Sequence, residues 1–300
     1  MPPGRRAIAI SAFLLQGYAF WALWSRSLIW PVIWPKGSLL YIAVTVLYTL
    51  GYWMLNAVLT AELLRKTQLE SDEKAAQRIQ KTLQPETIEP PPGYQLEAFY
   101  SPFRAVGGDY FDVIDLTQDR TLIALADVSG KGIAAALLAS NIQALVRSMA
   151  GTDADVVALA GRINRHLSRY TPSDRFATAV FLLLDRDSGG IEYVNAGHNP
   201  PLVGGAGAAN FLEATGLPLG LFGGATYEKR VATLAPGETL LLYTDGLTDS
   251  IFGDSPQERL RTAVTGDPRR SLSNLHALVD ARLVEDDVTV VLMTRTGAAN

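Results

Sequence analysis

Aspartates stand at the ends of several apolar, strand-like stretches of this sequence, where a residue that only packs a core would be apolar. Asp109 begins DYFDVIDL and Asp127 ends TLIALAD. Asp245 ends ETLLLYTD, and Asp286 immediately precedes DVTVVLMT. Since successive side chains of a strand point to opposite faces, each of these acids is expected to share a face with apolar residues. The pattern predicts four carboxylates on inward-looking faces.

The order of these strands predicts that the acids meet at one edge of the fold. Asp109 begins a strand and Asp127 ends the next, and only the turn TQDR separates the two strands. An antiparallel hairpin would place both carboxylates at the same end. Asp245 ends a strand and Asp286 begins one, so antiparallel pairing there would bring these two together as well.

Clustered carboxylates repel each other unless a cation offsets their charge. No lysine, arginine or histidine occupies a matching inward position in these stretches. Mg²⁺ and Mn²⁺ prefer oxygen ligands, and two such ions about 3.5–4 Å apart are a recurring device for phosphoester hydrolysis. The chain has no cysteine, so no thiolate can act as nucleophile. The clustered acids therefore predict a site for a pair of Mg²⁺ or Mn²⁺ ions, which would make a bound water easier to deprotonate.

Five motifs, in this order along the chain, resemble the SpoIIE/RsbU-type phosphatases, which are metal-dependent protein phosphatases related to protein phosphatase 2C. The motifs are GGDYFDV (107–113), ADVSGKGIAAALLAS (126–140), NAGHNPPLV (195–203), LYTDGLTDS (242–250) and EDDVTVVLM (285–293). The resemblance covers residues 77–295. It implies an α-β-β-α sandwich of two mainly antiparallel sheets, with the metals held at one edge between the sheets.

The resemblance also implies a set of metal-binding positions, of which the last two are alternatives: Asp109, Asp127, Val128, Asp245, Asp286 and Asp287. Asp127 matches the residue that bridges both ions, and Val128 would offer its backbone carbonyl. Asp286 is preferred over Asp287 as the last ligand, and the choice between them stays open. The implied catalytic set is Asp109, Asp127, Asp245 and Asp286.

Other residues near these motifs allow weaker interpretations. A hydrogen bond that stabilises a turn is favoured for His198, with a role as general acid as the alternative. Lys131 could meet a substrate phosphate or be solvated. Asp112 points to the opposite face from Asp109 and could support the site from behind. Gly130 and Gly132 are expected to permit a tight turn from strand to helix.

From residue 94 onward, short β-type runs alternate with helical stretches, which predicts an α+β domain of mainly antiparallel sheets covered by helices. The predicted strands are 94–100, 109–116, 121–127, 176–185, 190–195, 227–234, 238–245 and 287–294. The predicted helices are 132–149, 154–170, 256–264 and 271–284.

The N-terminal part of the chain predicts a membrane anchor. Residues 7–25 and 38–61 are uncharged, and each is long enough to cross about 30 Å of hydrocarbon as a helix. Basic residues before the first stretch and after the second predict that both ends are cytoplasmic. The expected organisation is an anchor with two transmembrane helices (1–64), a linker helix with a proline-rich boundary (65–93) and a cytoplasmic catalytic domain (94–300). The expected location is the inner membrane.

Residues 62–84 are charged, lack glycine and proline, and predict a helix that continues the second stretch. Leu69, Ala76 and Leu83 are spaced by seven, and Ile79 lies between them. Such a stripe could pair two copies of the chain as a homodimer, although a solvated helix fits equally well.

The formal net charge is −4, and basic residues outnumber acidic ones in the first 64 positions, so the acidic excess lies in the predicted catalytic part. This balance argues against nucleic acid as a partner. The leading interpretation is a membrane-anchored, Mg²⁺- or Mn²⁺-dependent protein serine/threonine phosphatase. The resemblance implies a phosphorylated anti-anti-sigma factor with a STAS domain as substrate. The alternative is a phosphatase-like signalling scaffold that binds a partner without turnover.

Overall fold

The computed structural model describes residues 38–83, 88–151, 154–172, 174–205, 209–252 and 255–296. The chain forms two compact units, Met1–Asp72 and Glu73–Asn300. In the first unit the described residues are all helical. The second unit begins within the same helix and holds every strand and every predicted site residue.

The helices of the described residues are α1 (Ser38–Leu83), α2 (Ile133–Met149), α3 (Val156–Tyr170), α4 (Asp245–Asp249), α5 (Pro256–Ala263) and α6 (Pro268–Leu278). The strands are β1 (Tyr94–Ser101), β2 (Asp109–Asp115), β3 (Arg120–Val128), β4 (Ala177–Asp185), β5 (Gly190–Ala196), β6 (Leu202–Gly204), β7 (Asn210–Phe211), β8 (Arg230–Thr233), β9 (Thr239–Tyr243) and β10 (Val288–Arg295).

These strands form two five-stranded sheets. One sheet has the order β1-β10-β9-β6-β7 and is called the first sheet here; the other, β2-β3-β4-β5-β8, is called the second sheet. Neighbouring strands are antiparallel throughout both sheets.

Three apolar clusters separate four layers. Between the sheets, Phe111 and Leu125 of the second sheet pack with Leu242 and Met293 of the first. The outer face of the second sheet packs against α2 and α3, and the outer face of the first packs against α4, α5 and α6. The result is an α-β-β-α sandwich, which confirms the predicted fold class for this part of the chain.

Most predicted elements are confirmed, with shifts of a few residues at their ends. Helix α6 begins at Pro268, three residues earlier than predicted, because the Asp267 carboxylate accepts hydrogen bonds from the backbone N–H groups of Arg269 and Arg270. Strands β6 and β7 and helix α4 were not predicted. Each has five residues or fewer, which is too short to show a periodic pattern.

The predicted second membrane span lies in α1, a continuous helix of 46 residues that also contains the predicted linker helix. In the part of the chain that the structure describes, no helix combines the length and the apolar character needed to cross a membrane. Polar side chains at Thr49, Asn56 and Thr60 interrupt the apolar residues of α1, and each donates a hydrogen bond to a carbonyl of its own helix. The second predicted span is therefore not supported. The first span lies outside the described residues, and the membrane location stays a prediction.

The apolar residues of the stripe that was predicted for the linker lie in α1. Leu69 is exposed on the helix surface, and so is Ile79. The side chain of Leu83 lies outside the described residues. The homodimer stays a prediction.

Candidate active site

The β2–β3 hairpin places two of the predicted site residues directly opposite each other. Asp109 begins β2, Asp127 lies one residue before the end of β3, and the register pairs them as cross-strand neighbours. On the same face, Phe111 and Leu125 belong to the apolar layer between the sheets. The alternation and end-matching predicted for this hairpin are confirmed.

Asp109 is anchored by the opposite sheet. Its Oδ2 atom accepts hydrogen bonds from Thr244 Oγ1 at 2.9 Å and from Thr289 Oγ1 at 2.5 Å. Thr244 Oγ1 in turn accepts the backbone N–H of Thr289 at 3.0 Å. The carboxylate is 2 % exposed. One hydroxyl from β10 and one from the residue after β9 therefore fix a side chain of the second sheet, a contact that the sequence analysis missed.

The alternation argument is wrong for Asp245 and Asp286. Leu241 and Tyr243, which were expected on the inward face, pack instead against the helices outside the first sheet. Strand β9 ends at Tyr243, and Asp245 lies in the first turn of α4. Asp286 likewise precedes the start of β10 at Val288. A strand's alternation does not extend to residues beyond its ends, so turns rather than strands position these two acids.

These two turns nevertheless lie against each other at the same edge. A Cβ atom added to Gly246 would collide with the carbonyl oxygen of Asp287 and would lie 3.3 Å from that of Asp286. Only glycine permits this close approach. The segments that carry Asp245 and the Asp286–Asp287 pair are thus in contact, as the predicted pairing of their strands requires.

The adjacent acids of the 286–287 pair have different surroundings. The side chain of Asp286 is 39 % exposed, and its Oδ2 atom lies 2.9 Å from Lys131 Nζ. Lys131 also donates a hydrogen bond to the carbonyl of Glu285. Lys131 was predicted to be solvated or to meet phosphate, and the structure instead pairs it with a predicted metal ligand.

The carboxylate of Asp287 serves the loop in front of β2. Its Oδ1 atom accepts the backbone N–H of Phe103 at 2.8 Å, and its Oδ2 atom accepts that of Gly108 at 2.6 Å. Asp287 is 8 % exposed. With both oxygens engaged by backbone donors of that loop, Asp287 is suited to hold it. Asp286 Oδ1 accepts the backbone N–H of Asp287 at 2.9 Å, and its Oδ2 atom has only the exposed Lys131 as partner, so Oδ2 is the oxygen of this pair that is most easily released to a ligand.

The C-terminal end of α1 holds the same loop. Gln80 Nε2 donates to the carbonyl of Gly107 at 2.7 Å, and Gln80 Oε1 accepts the N–H of Gly107 at 3.1 Å. This reciprocal pair connects the predicted linker helix to the residues that lead into Asp109. The sequence analysis did not single out Gln80.

Asp127 is subject to electrostatic repulsion from both turns. Burial is the largest cause, and together with the charges of Asp245, Asp286 and Asp287, in that order, it raises the pKa of Asp127 to about 7. Asp127 therefore experiences the acids of both turns at once. Such a shift is typical of a site that holds a cation or transfers a proton.

The pKa values of the neighbouring carboxyls are also raised. Burial raises the pKa of Asp109 well above its usual range, and the charge of Asp127 adds to that effect. Burial also raises the pKa of Asp245, with contributions from Asp249 and Asp286. The negative charge at this edge is thus only partly offset by protein groups.

The donor chemistry fits hard divalent cations, because it consists of carboxylate oxygens and the Val128 backbone. Within the described residues, however, no three histidine, aspartate or glutamate side chains are arranged to hold one ion. Two of the acids have protein partners: Asp286 pairs with Lys131, and one oxygen of Asp109 accepts hydrogen bonds from two threonines. An exposed ion pair such as Lys131–Asp286 is weak, so rotation of Asp286 costs little. The two-metal site stays a prediction.

The turn after β3 has the tight geometry that the sequence predicts. Gly130 has φ 92° and Gly132 has φ 81°, a region that side chains rarely adopt. Arg175 Nη1 donates to the carbonyl of Ser129 at 3.0 Å, and Ser129 Oγ accepts the N–H of Phe176 at 3.0 Å. This turn carries Val128 and Lys131 to the edge where the acids lie.

Asp112 does not support the site from behind. It points to the outer face of the second sheet, is 1 % exposed, and forms a two-point ion pair with Arg147 of α2 at 2.7 and 3.0 Å. Tyr110 Oη also donates to it. The hypothesis of a supporting role is wrong, because this carboxylate joins a strand to a helix.

A family model described as Stage II sporulation protein E (SpoIIE) matches residues 117–296, which is more than half of the chain. The chain belongs to the SpoIIE family. This confirms the resemblance carried by the five motifs. The matched range contains Asp127, Asp245 and the Asp286–Asp287 pair, and it begins after Asp109.

Similar curated proteins agree with this membership. The chain is 26 % identical over 259 residues to Protein IcfG of Synechocystis sp., covering 73 % of this chain and 40 % of that protein. It is 29 % identical over 160 residues to phosphoserine phosphatase RsbP of Bacillus subtilis, covering 52 % and 40 %. It is 27 % identical over 240 residues to phosphoserine phosphatase RsbU of the same organism, covering 76 % and 71 %. The chain thus spans 40 % of the length of the first two relatives.

Solved structures share the fold. The RsbU and RsbW domains of Rv1364c from Mycobacterium tuberculosis match with a TM-score of 0.61 and 29 % identity, covering 70 % of this chain and 62 % of that one. RsbX in complex with magnesium matches with a TM-score of 0.57 and 20 % identity, covering 69 % and 98 %.

Proposed function

We propose that this chain is a metal-dependent protein serine/threonine phosphatase whose site lies at the edge where the β2–β3 hairpin meets the turns after β9 and before β10. The observation that carries the proposal is the convergence of three chain segments there. Asp109 and Asp127 are cross-strand partners, and the Asp245 turn lies against the Asp286–Asp287 segment. Membership of the SpoIIE family and similarity to two phosphoserine phosphatases support it.

Two Mg²⁺ or Mn²⁺ ions, when bound, would supply an activated water and offset charge on the phosphoryl oxygens. We infer that Asp109, Asp127, Asp245, Asp286 and the Val128 carbonyl hold them. Asp287 and the two threonines on Asp109 keep those groups in place through the hydrogen bonds described above. Lys131 is released from Asp286 when that acid turns to its ligand position, and its ammonium group is then free to meet a substrate phosphate.

The test is phosphate release from phosphoserine, phosphothreonine and phosphotyrosine peptides by the full chain with Mn²⁺, Mg²⁺ or a chelator. We expect metal-dependent turnover of the first two peptides. Asp127→Asn and Asp245→Asn should each lose at least a hundredfold. The control Asp187→Asn should retain activity, because Asp187 is exposed in the turn after β4, at the opposite end of that strand from Thr178, the cross-strand partner of Asp127. Wild-type turnover by Asp127→Asn at saturating Mn²⁺ would refute the assignment. A folded wild-type chain without turnover on any peptide would favour the scaffold alternative.

We propose a phosphorylated STAS-domain regulator as the substrate, which rests on the family resemblance and on the similarity to RsbU and RsbP. A folded phosphoprotein should then exceed a peptide with the same phosphosite by at least tenfold in kcat/KM. Equal values would indicate that the enzyme recognises only the local phosphoserine.

We also propose that α1 pairs two copies of the chain through the stripe that includes Leu69. Sedimentation of the full chain should give the mass of a dimer, and Leu69→Asp should give the mass of a monomer. Gln77→Asp, a change at an exposed position of the same helix, serves as the control. A monomeric wild-type chain would refute the pairing.

A further inference from the structure

We propose that His198 is a positioning residue whose neutral ring joins the two sheets at the active-site edge and sets the separation between the Asp127 strand and the Asp245 turn. The inference deepens the proposed function and rests on it for the identity of the site. His198 does not touch the predicted metal ligands.

The ring of His198 spans from one sheet to the other. Its Nδ1 atom lies 2.7 Å from Thr178 Oγ1, and its Nε2 atom lies 3.2 Å from the carbonyl oxygen of Tyr243. Thr178 is on β4 in the second sheet, and Tyr243 is the last residue of β9 in the first. The imidazole is therefore a rigid link between the sheets.

Both ends of this link are next to predicted site residues. Thr178 is the cross-strand partner of Asp127. Tyr243 precedes Thr244, whose hydroxyl holds Asp109, and Asp245 follows directly. A change in the length of the link would shift Asp245 relative to Asp127.

The hydrogen-bond chemistry fixes the tautomer of the neutral ring. A backbone carbonyl can only accept, so Nε2 must carry the proton toward Tyr243. The Nδ1 atom then has a lone pair, and it accepts the hydroxyl of Thr178. A doubly protonated ring would have to reverse that hydrogen bond and donate to Thr178 Oγ1. Burial lowers the pKa of His198 to about 4, which favours the neutral ring in the physiological range and disfavours a role as general acid.

The backbone of His198 is held independently of its ring. Asn195 Oδ1 accepts the His198 N–H at 2.7 Å, and Asn195 Nδ2 donates to the His198 carbonyl at 3.1 Å. The same amide donates to the carbonyl of Leu212. The turn predicted for His198 is therefore stabilised by Asn195, and the ring of His198 is not needed for the turn. The structural role that remains for the ring is to link the two sheets.

The experiment compares Mn²⁺ binding, measured by calorimetry on the full chain, among three variants of the link and one control. His198→Phe keeps the bulk of the ring and loses both hydrogen bonds, and Thr178→Val loses one. His198→Gln retains a donor and an acceptor. The control Thr239→Val removes a buried hydroxyl that bonds Thr294 at the other end of β9.

Supporting residues around a metal site commonly change metal affinity by tenfold or more. We expect a loss of about tenfold for His198→Phe, about threefold for Thr178→Val, and recovery in His198→Gln, with affinity unchanged in Thr239→Val. Equal affinity in wild type, His198→Phe and Thr178→Val would overturn the inference. Equal losses in Thr178→Val and Thr239→Val would show a general loss of stability instead and would overturn it too.

A metal-free measurement separates this inference from the proposed function. The chain has three histidines, so ¹⁵N spectra of the rings contain three pairs of signals, and substitution of His198 assigns its pair. At pH 6 we expect a neutral ring protonated on Nε2, and in Thr178→Val we expect shifts of the backbone amide signals of Asp127 and Asp245. A charged ring, or unchanged amide signals, would overturn the inference even if the wild-type chain bound no Mn²⁺. Failure of the wild type to bind Mn²⁺, by contrast, would overturn the proposed function.

Discussion

Asp286 and Asp287 are adjacent acids, yet the structure predicts that their asparagine variants fail in different ways. Asp287 accepts two backbone N–H groups of the loop before β2 and is buried. Asp286 is partly exposed and pairs with Lys131. We expect Asp287→Asn to lose stability and Asp286→Asn to lose metal-dependent activity.

The cost of Asp287→Asn follows from its two backbone contacts. A hydrogen bond to a charged group contributes about 1.5–3 kcal/mol, and the asparagine oxygen can preserve one contact as a neutral bond of about 1 kcal/mol. The amide NH₂ group would face the other backbone N–H, which leaves that donor without an acceptor. Removal of one negative charge beside Asp286 and Asp127 offsets part of the loss. The net expectation is about 2 kcal/mol, or a fall of about 4–8 °C in the unfolding midpoint for a domain of this size.

Asp286→Asn removes an exposed ion pair, which contributes about 0–1 kcal/mol. Relief of repulsion with Asp127 and Asp245 acts in the opposite direction, since Asp286 raises the pKa of both. The free energy of unfolding should therefore stay within about 1 kcal/mol of wild type. Turnover at limiting Mn²⁺ should fall at least tenfold more than in Asp287→Asn, because the asparagine oxygen is a neutral and weaker ligand.

Urea unfolding in the presence of a chelator measures the first quantity, and phosphate release across a Mn²⁺ titration measures the second. The two measurements are independent, so the unfolding free energy and the metal dependence of turnover are determined separately for each variant. If Asp287→Asn were as stable as wild type and lost the metal response, while Asp286→Asn kept it, the assignment of the two acids would be reversed.

Three further predictions concern pH, the linker helix and the strand–helix ion pair. The pKa of Asp127 is raised from 3.8 to about 7, so its contribution to stability is full below about pH 4 and is lost as pH rises through 7. The metal-free wild type should therefore lose up to about 4 kcal/mol of unfolding free energy over that range. A pH series of urea unfolding should show a flatter profile for Asp127→Asn, and equal profiles would contradict the prediction. Gln80→Leu removes both contacts to Gly107 and should raise the Mn²⁺ concentration for half-maximal turnover about threefold to tenfold in a steady-state titration. The exposed control Gln77→Leu should not change this concentration, and equal effects of the two variants would refute the role of Gln80. Arg147→Met leaves the buried charge of Asp112 without its partner and should cost about 3 kcal/mol in urea unfolding, part of which Asp112→Asn should restore in the double variant. A cost below about 1 kcal/mol would show that Tyr110 and the Val113 N–H satisfy Asp112 without Arg147.

The β2–β3 hairpin shows where sequence patterns are sufficient. Both strands are regular, the turn between them is short, and the alternation of side chains continues without interruption from Asp109 to Asp127. Under those conditions the face and the end of each strand determine where a side chain lies. The predicted meeting of these two acids needed no information from the rest of the chain.

The same argument failed for Asp245 and Asp286 because both lie beyond the ends of their strands. The periodicity of β9 and β10 correctly indicates which residues share a face, but not which of the two faces meets the other sheet. Leu241 and Leu242 lie on opposite faces of β9, yet both are apolar, because helices cover the outside of the first sheet and both faces are buried. A strand that is buried on both sides has no polar face to distinguish outside from inside.

Contacts between segments that are far apart in the sequence could not be predicted either. Thr244 and Thr289 meet Asp109 across 135 and 180 residues, and no local pattern marks a threonine as the partner of a particular acid. Gln80 lies in the polar C-terminal part of α1, where a glutamine is ordinary. The resemblance identified the acids as ligands, and the structure adds the residues that hold the segments carrying them.

The charges at this edge are unfavourable for a protein that only needs to be stable. Burial and mutual repulsion raise the pKa values of Asp109, Asp127 and Asp245, which means that the folded chain holds their charged forms at a cost. Lys131 offsets Asp286, and it does so at an exposed position where an ion pair contributes little. Protons and divalent cations are alternative ways to relieve the same repulsion, so they must compete for these carboxylates. Stabilisation by Mn²⁺ should therefore be small near pH 5, where protons already neutralise Asp127, and larger near pH 8. A stabilisation by Mn²⁺ that did not change between those two pH values would mean that the ion binds somewhere other than this cluster.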